Sequence, residues 1–185
     1  AQTHTIAGII KSIEGNTTRF TMDSYLASAT YMYAEKYGIT ANYRADGSSR
    51  YAKGHRWGHF GSVGASWSFT NEEFMSGVSW LKNGKLRLSW GVLGNQINSL
   101  YAYTDMYTIQ NVNDEIAYIW TSKGNPELTW ERTNTTDLGL ELSFGKWVDM
   151  ELDYFYKVTD NMLFSRAVAP SLGYSSVPTN DAKMM

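Results

Sequence analysis

The chain of 185 residues contains no cysteine, and only three prolines and three histidines. Without thiols it has no disulfide, no cysteine nucleophile and no thiolate metal site. Charged residues make up 18% of the sequence, below the ~25% of an average soluble domain. The net charge of −2 gives no electrostatic basis for contacting phosphate backbones, so no nucleic-acid partner is predicted.

Long apolar runs are also missing. Mean hydropathy is −0.37, and no stretch approaches the ~18 consecutive apolar residues of a membrane-spanning helix, which excludes a helical membrane protein. A transmembrane β-barrel is not excluded, because alternating apolar and polar residues dilute the hydropathy of its strands. What the chain does contain is 13 tyrosines, 7 tryptophans and 16 glycines, a composition that suits strands and turns.

The clearest pattern lies between Thr133 and Asp160. Its first arm alternates leucines with polar residues up to Phe144, and its second arm alternates apolar and acidic residues from Val148 onwards. A period of two is that of a β-strand. Gly145-Lys146 separates the arms and is short enough for a tight turn. The pattern therefore predicts an antiparallel hairpin with one apolar face and one acidic face.

Two architectures use such a hairpin. A soluble sandwich would turn the leucines inward, whereas a transmembrane barrel would turn them toward lipid and the acids toward a wet lumen. The alternation from Trp147 to Val158 is about twice the usual strand length and spans on the order of 40 Å, which favours the barrel. In that case five charged residues are predicted to face the lumen: Arg87, Glu141, Asp149, Glu151 and Asp153.

Similar alternation predicts four further strands, at Arg19 to Ala34, Tyr37 to Asp46, Gly58 to Thr70 and Lys85 to Gly94. The predicted fold class is all-β: an antiparallel up-and-down transmembrane β-barrel, of which about six strands are present. Thr70 and Glu73 form a capping-box pattern, which predicts one short helix in a periplasmic turn, with Phe74, Val78 and Leu81 on one side. Residues 1–18, 94–128 and 165–185 are predicted to be loops.

The predicted connections alternate between short and long, as in outer-membrane barrels with short periplasmic turns and long external loops. The longest, 94–128, is rich in aromatic residues, and a loop of that length usually has a function. Aromatic rings stack on the C–H faces of sugars, although loop aromatics also pack loops onto their neighbours. Five residues are therefore candidate ligand contacts: Tyr101, Tyr103, Tyr107, Tyr118 and Trp120.

Four blocks of sequence resemble the barrel of SusC/RagA-type TonB-linked outer-membrane proteins. They are YRADGSSRYAKGHRWGHFGSVGASWSFTNEEFM (43–75), LKNGKLRLSWGVLGNQ (81–96), NPELTWERTNTTDLGLELSF (125–144) and DYFYKVTDNML (153–163). One departure is His59-Phe60-Gly61-Ser62, where the family often has a proline. The resemblance implies that residues 1–185 are a fragment from the C-terminal half of the barrel domain, without the plug domain and the closing strands.

The resemblance also implies a function. Proteins of this family are expected in the outer membrane of Gram-negative bacteria, in contact with its lipid. They are expected to work with a SusD-like surface lipoprotein, to import oligosaccharides or peptides, and to draw energy from the TonB complex. The residues that contact TonB would belong to an N-terminal region outside this chain.

An enzyme is not predicted. The three histidines, His4, His55 and His59, have no discernible acidic partner in the sequence. Acidic residues spaced by two on one strand lie roughly 6 to 7 Å apart, as do paired acids in glycosidases, but a wet lumen also places acids there and is the favoured interpretation. No catalytic residue, metal site or cofactor is predicted. The alternative function is a soluble all-β carbohydrate-binding module, with the apolar face as its core.

Overall fold

The structure, a computed structural model, describes residues 17–174 and 176–185. Most of the loop predicted at residues 1–18, together with His4, lies outside the described residues. The described part forms nine β-strands: β1 (Met22–Tyr33), β2 (Tyr37–Ser48), β3 (Trp57–Ser68), β4 (Leu81–Asn95), β5 (Met106–Val112), β6 (Glu115–Ser122), β7 (Glu131–Phe144), β8 (Val148–Ala167) and β9 (Ser176–Met184).

Seven strands form one antiparallel sheet in the order β1-β2-β3-β4-β7-β8-β9, and β5 pairs with β6 in a separate hairpin. Neighbours in the main sheet follow each other along the chain, apart from the insertion of the β5–β6 hairpin between β4 and β7. This is the up-and-down order that was predicted. Strands β1 and β9 are the two edges, so the described sheet is an open part of a barrel wall.

The register places like residues side by side and gives the sheet two different faces. Leu86, Leu140 and Leu152 lie in one cross-strand row, and we call their side of the sheet the apolar face. The next row contains Arg87, Gly139 and Asp153, and since successive residues of a strand point to opposite sides, we call this side the polar face.

The apolar face is uncovered in the described structure. Leu88, Leu138 and Leu152 expose 53%, 44% and 54% of their surface. A soluble module needs a second layer of the same chain over this face, and the described residues supply none. The carbohydrate-binding module is therefore not favoured.

The connections divide between two rims of the sheet. One rim, the short-turn rim, carries residues 34–36, 69–80 and 145–147, and the opposite rim, the loop rim, carries 49–56, 96–130 and 168–174. As predicted, the tight turns 34–36 and 145–147 share one rim and the longest connection lies at the other, but 69–80 is longer than 49–56, so the lengths do not alternate strictly. At the loop rim lies the buried apolar cluster of the described residues: Tyr51, Phe60, Ala102, Leu128 and Trp130.

The prediction of one short helix starting at Thr70 is wrong. The chain instead makes two single 3-10 turns, Phe69–Asn71 and Glu73–Met75. The Thr70 hydroxyl accepts a hydrogen bond from Gly84 N at 3.1 Å rather than capping a helix, and Leu81 begins β4. None of the helical turns in the described ranges is long and apolar enough to cross a membrane.

Two predicted loops contain strands. Within 94–128 the chain forms the β5–β6 hairpin, closed by Asn113 and Asp114, whose φ angles of 54° and 64° suit a two-residue hairpin turn. Within 165–185 it forms β9, which contains Pro178. Proline cannot donate to a ladder, but it is tolerated in an edge strand. With β9, the main sheet has seven strands where about six were predicted.

Candidate functional site

A cluster of charged side chains occupies the polar face near its middle. Arg87 on β4 lies 3.0 Å (Nε) from Glu141 Oε1 on β7. Its Nη2 lies 2.6 Å from Glu151 Oε1 and 3.2 Å from Asp153 Oδ1 on β8. One cation thus faces three carboxylates across three strands. The cluster as a whole carries an excess of negative charge.

Gly139 makes this arrangement possible. It lies between Arg87 and Asp153 in their cross-strand row, and a Cβ atom there would lie 2.6 Å from Asp153 Oδ1 and 3.0 Å from Arg87 Nε. The guanidinium therefore passes directly over the β7 backbone to reach β8. Asp149, the remaining residue predicted to face the lumen, is exposed on the same face and forms no ion pair with a described residue.

The loop rim is built on the buried aromatic cluster. Tyr51 and Leu128 are fully buried, and the Trp130 ring lies 5.3 Å from that of Tyr51 and 5.5 Å from that of Phe60. Trp130 Nε1 donates to the carbonyl of Arg56 at 3.0 Å. Two connections that are distant in sequence, 49–56 and 96–130, are thereby packed together. Burial raises the pKa of the Tyr51 hydroxyl, which remains protonated as a donor and acceptor at neutral pH.

The start of the longest connection is fixed by hydrogen bonds to the β2–β3 loop. Tyr51 Oη accepts from Ile97 N at 3.0 Å, and Arg50 Nη1 donates to the Ile97 carbonyl at 2.8 Å. Ser48 Oγ donates to Gln96 Oε1 at 3.0 Å. Ser48 lies at the end of β2 on the polar face, next but one to Asp46. Residues 96–97 therefore fold over the polar face where it meets the loop rim.

The β5–β6 hairpin carries three of the five candidate ligand contacts on one side. The rings of Tyr107 and Trp120 are stacked, with their centres 5.6 Å apart. Tyr118 lies two residues before Trp120 on the same side of β6, opposite Ile109. Tyr118 is 71% exposed. Tyr174 from the β8–β9 connection contacts the Trp120 ring edge to face at 5.2 Å. The hairpin thus presents an aromatic surface with a packed base.

Tyr101 and Tyr103 are not part of this surface. They precede β5, and among the described residues no ring contact joins them to Tyr107, Tyr118 or Trp120. Sequence reasoning missed Tyr174, because nothing in the sequence indicates which two loops meet.

An ion pair anchors the base of the hairpin. Lys123 Nζ donates to Asp105 Oδ2 at 2.8 Å, and Gly124 N donates to Asp105 Oδ1 at 2.8 Å. These bonds lower the pKa of Asp105, and the carboxylate raises the pKa of Lys123. Lys123 Nζ also lies 5.1 Å from the centre of the Trp120 ring.

The sequence and the fold of this chain are both similar to those of known proteins. The family model described as TonB dependent receptor-like, beta-barrel, matches residues 3–184. The chain belongs to this family of TonB-dependent receptors. Such receptors are outer-membrane β-barrels of Gram-negative bacteria, and they are transporters rather than enzymes.

Individual relatives agree. The TonB-dependent receptor SusC of Bacteroides thetaiotaomicron is 33% identical over 174 residues, which are 89% of this chain and 17% of that protein. The TonB-dependent receptor P39 of Formosa agariphila is 30% identical over 168 residues, 88% of this chain and 16% of that protein. The solved structure of the RagAB peptide transporter superposes with a TM-score of 0.80 at 26% identity, over 89% of this chain and 18% of that chain. This chain therefore spans about a sixth of the length of these relatives.

The short-turn rim of this TonB-dependent receptor is held together by Glu72. Its carboxylate accepts hydrogen bonds from Tyr37 Oη at 2.5 Å, from Lys36 Nζ at 3.0 Å and from Trp67 Nε1 at 3.2 Å. We call these four residues the Glu72 clasp. The tyrosine hydroxyl, followed by the lysine and the indole N–H, lowers the pKa of Glu72. The clasp joins the β1–β2 turn to the β3–β4 connection.

Proposed function

We propose that this chain forms part of the barrel wall and the extracellular loops of an outer-membrane importer of oligosaccharides or peptides, energised by TonB. The observation that carries the proposal is the pair of unlike faces on a seven-stranded open sheet. Leu86, Leu140 and Leu152 form an uncovered apolar row, and on the reverse side the ion cluster around Arg87 is suited to water. Family membership supports the same function.

In this proposal the apolar face meets lipid and the polar face lines the passage. Arg87, Glu141, Asp149, Glu151 and Asp153 are then lumen-facing. A bilayer offers no hydrogen bonds to charged groups, so a cluster of one arginine and three carboxylates would be costly on the lipid side. In a wet lumen the same cluster is solvated and needs no burial.

The loop rim is proposed to be the extracellular mouth, where a SusD-like lipoprotein would dock. The buried cluster around Trp130 supports this role, because it gives the loops a fixed base from which to meet a partner. The plug domain, the TonB contact and the closing strands are proposed to belong to the rest of the protein.

The aromatic side of the β5–β6 hairpin is the proposed cargo contact. Tyr107, Tyr118 and Trp120 share this side, and the exposed tyrosine rings offer faces on which sugar rings or peptide side chains can stack. Tyr101 and Tyr103 lie nearer the base of the loop and are proposed to contact cargo deeper in the mouth. Similarity to the RagAB peptide transporter supports peptides as cargo, and oligosaccharides stay in the proposal because exposed aromatic rings stack on sugars.

Uptake by cells provides the test. A strain lacking the full-length protein should lose uptake of one class, labelled oligosaccharides or labelled peptides, and regain it on complementation. The lipoprotein should co-purify with the tagged full-length protein. A deletion strain with unchanged uptake of both classes would contradict the proposal. Replacing Tyr118 by alanine should raise the cargo concentration needed for half-maximal uptake. Tyr31→Ala on the apolar face of β1 is the matched control, and it should leave that concentration unchanged.

A further inference from the structure

A groove of about 530 Å³ lies on the apolar face, next to the loop rim. Its walls are aromatic and polar, and six residues matter here: Tyr43, His59, Trp90, Arg132, Asn134 and Asp160. All six occupy positions of the same parity as the leucine row, so they lie on the face proposed to meet the membrane. Along β7 this face changes from Leu138 through Thr136 to Asn134 and Arg132. The groove therefore begins where the apolar band ends.

An irregularity of β8 coincides with the groove. Asn161 has a φ of 56°, and the pairing of β8 with β9 shifts register between Thr159 and Met162. Such a bulge bends a strand locally, and bulges are common at the rims of barrels and beside binding sites. Gly61, which pairs with Val92, adds no side chain to the floor. The bulge in β8 and the missing side chain at Gly61 together leave a depression in the apolar face.

Of the charged side chains that line the groove, Arg132 is the one that forms no ion pair with a described residue. Asp160 is engaged by Lys183 Nζ at 3.2 Å and by Asn134 Nδ2 at 3.3 Å. His59 Nδ1 shares a hydrogen bond of 2.7 Å with Tyr43 Oη. Arg132 is exposed, and no carboxylate of residues 17–174 and 176–185 lies within 4.0 Å of it. Asp160 is the direct cross-strand partner of Arg132, but its carboxylate is paired with Lys183, so these three side chains together carry a net charge of +1. The groove thus offers a guanidinium without an ion pair among the described residues, beside hydrogen-bonding groups.

We propose that this groove binds the phosphorylated headgroup of an outer-membrane lipid. Guanidinium groups match phosphate geometry with two parallel hydrogen bonds, and Arg132 is placed for that contact. Trp90 and Tyr43 lie on the side of the groove toward the apolar band, at the level where amphipathic rings contact the boundary between headgroups and acyl chains. Cargo in the lumen would not reach the groove, because the sheet separates it from the polar face.

The inference rests on the proposed orientation of the two faces. The test uses the purified full-length transporter, exchanged into detergent with defined lipid and analysed by native mass spectrometry. Three probes are compared: a phosphorylated outer-membrane glycolipid, the same glycolipid after enzymatic dephosphorylation, and inorganic phosphate. Wild-type protein should retain the phosphorylated lipid and bind the other two probes at least 10-fold more weakly. The dephosphorylated lipid lacks the anion that Arg132 would bind, and inorganic phosphate lacks the acyl chains that contact the apolar band.

Arg132→Gln should reduce retention of the phosphorylated lipid about 10-fold or more. Lys157→Gln is the matched control, because Lys157 is an exposed cation of the neighbouring strand that points to the polar face. Arg132→Lys keeps the charge without the bidentate geometry and should be intermediate, so it preserves the test if the glutamine variant fails to assemble. Equal retention by the Arg132 and Lys157 variants, equal binding of dephosphorylated lipid, or binding of free phosphate alone would each overturn the proposal.

Failure of the groove and failure of the orientation are separable. A fluorophore attached at Leu138→Cys should be quenched by lipids brominated in their acyl chains. Absence of quenching would overturn the orientation of the faces and the groove proposal with it. Normal quenching combined with unchanged lipid retention by Arg132→Gln would overturn the groove proposal alone.

Discussion

Replacing Leu140 by arginine should destabilise the full-length barrel in the membrane. On β7 the alternate residues of the apolar face run from Phe144 to Thr136, which marks the edge of the apolar band, and Leu140 lies midway between them. At ~3.4 Å per residue and a tilt of ~40°, this run rises about 21 Å across the bilayer, so Leu140 lies near the midplane. Its row neighbours, Leu86 and Leu152, offer an arginine no hydrogen-bond acceptor.

An arginine at the midplane of a barrel costs about 2 to 4 kcal/mol. This corresponds to roughly a 30- to 900-fold change in the unfolding equilibrium. The change is measured from the denaturant midpoint of the protein in lipid vesicles, and from the amount of heat-modifiable barrel in outer-membrane fractions.

Glu141→Arg is the control, because it introduces the same side chain one residue away on the opposite face. The new arginine would lie near Arg87 and opposite Lys85, but Glu151 and Asp153 remain beside it, and on the polar face all of these charges can be solvated. Exposed ion pairs contribute only about 0 to 1 kcal/mol, so this variant should assemble normally and mainly alter transport. Greater damage from Glu141→Arg than from Leu140→Arg would refute the assignment of faces.

Three further predictions concern contacts that hold the sheet and its rims. Gly139→Ala should displace Arg87 from its carboxylate partners and thereby make the denaturant midpoint less sensitive to salt, which screens ion pairs. An unchanged salt dependence would contradict the role of Gly139 in letting Arg87 cross the β7 backbone. The Glu72 clasp should be stable at neutral pH and weaken as the pH falls through the lowered pKa of Glu72, below its ordinary value of 4.5. The fall in melting temperature with acidification should therefore be smaller in Glu72→Gln than in the wild type. Identical melting temperatures of the two proteins at every pH would show that the Glu72 clasp does not contribute to stability. Leu128→Ala should lower the free energy of local opening at the loop rim by about 2 to 5 kcal/mol, measured by hydrogen exchange, and unchanged protection would show that the cluster does not hold the loops.

The sequence was sufficient for the strands that alternate strongly. The hairpin around Gly145 was predicted because leucines and acids alternate on both arms and the glycine, with a φ of 59°, permits a tight turn. The opposition of Leu140 and Glu141 follows from the same period of two. Alternation is a property of each strand alone, and it needs no knowledge of neighbouring strands.

The missed elements lack this local signal. The β5–β6 hairpin lies away from the main sheet and alternates less cleanly. One side is aromatic and aliphatic, but the other mixes Met106 and Ile119 with polar residues, so the two sides do not contrast as apolar and polar. Strand β9 contains Pro178 and several polar residues, which are tolerated because it is an edge. The helix prediction at Thr70 failed because the hydroxyl bonds to Gly84 on the neighbouring strand.

The candidate sites required knowledge of register. The sequence predicted Arg87 and four acids on one face, but the contact of Arg87 with three of them depends on which residues of β4, β7 and β8 lie opposite each other. Likewise, the stacking of Tyr107 on Trp120 depends on the register of β5 and β6, and the contact with Tyr174 depends on how two distant loops meet. The buried cluster formed by Tyr51, Leu128 and Trp130 falls within the sequence blocks that carry the family resemblance.

The orientation of the two faces is tested most directly by the accessibility of spin labels on β7. Single nitroxide labels at positions 137, 138, 140, 141 and 142 of the full-length protein in nanodiscs would be exposed in turn to oxygen and to a water-soluble nickel complex. We expect relaxation by oxygen at 138, 140 and 142, and relaxation by the nickel complex at 137 and 141. The opposite alternation, or equal access of both reagents to every position, would contradict a barrel wall with its leucines in lipid and its acids in a water-filled passage.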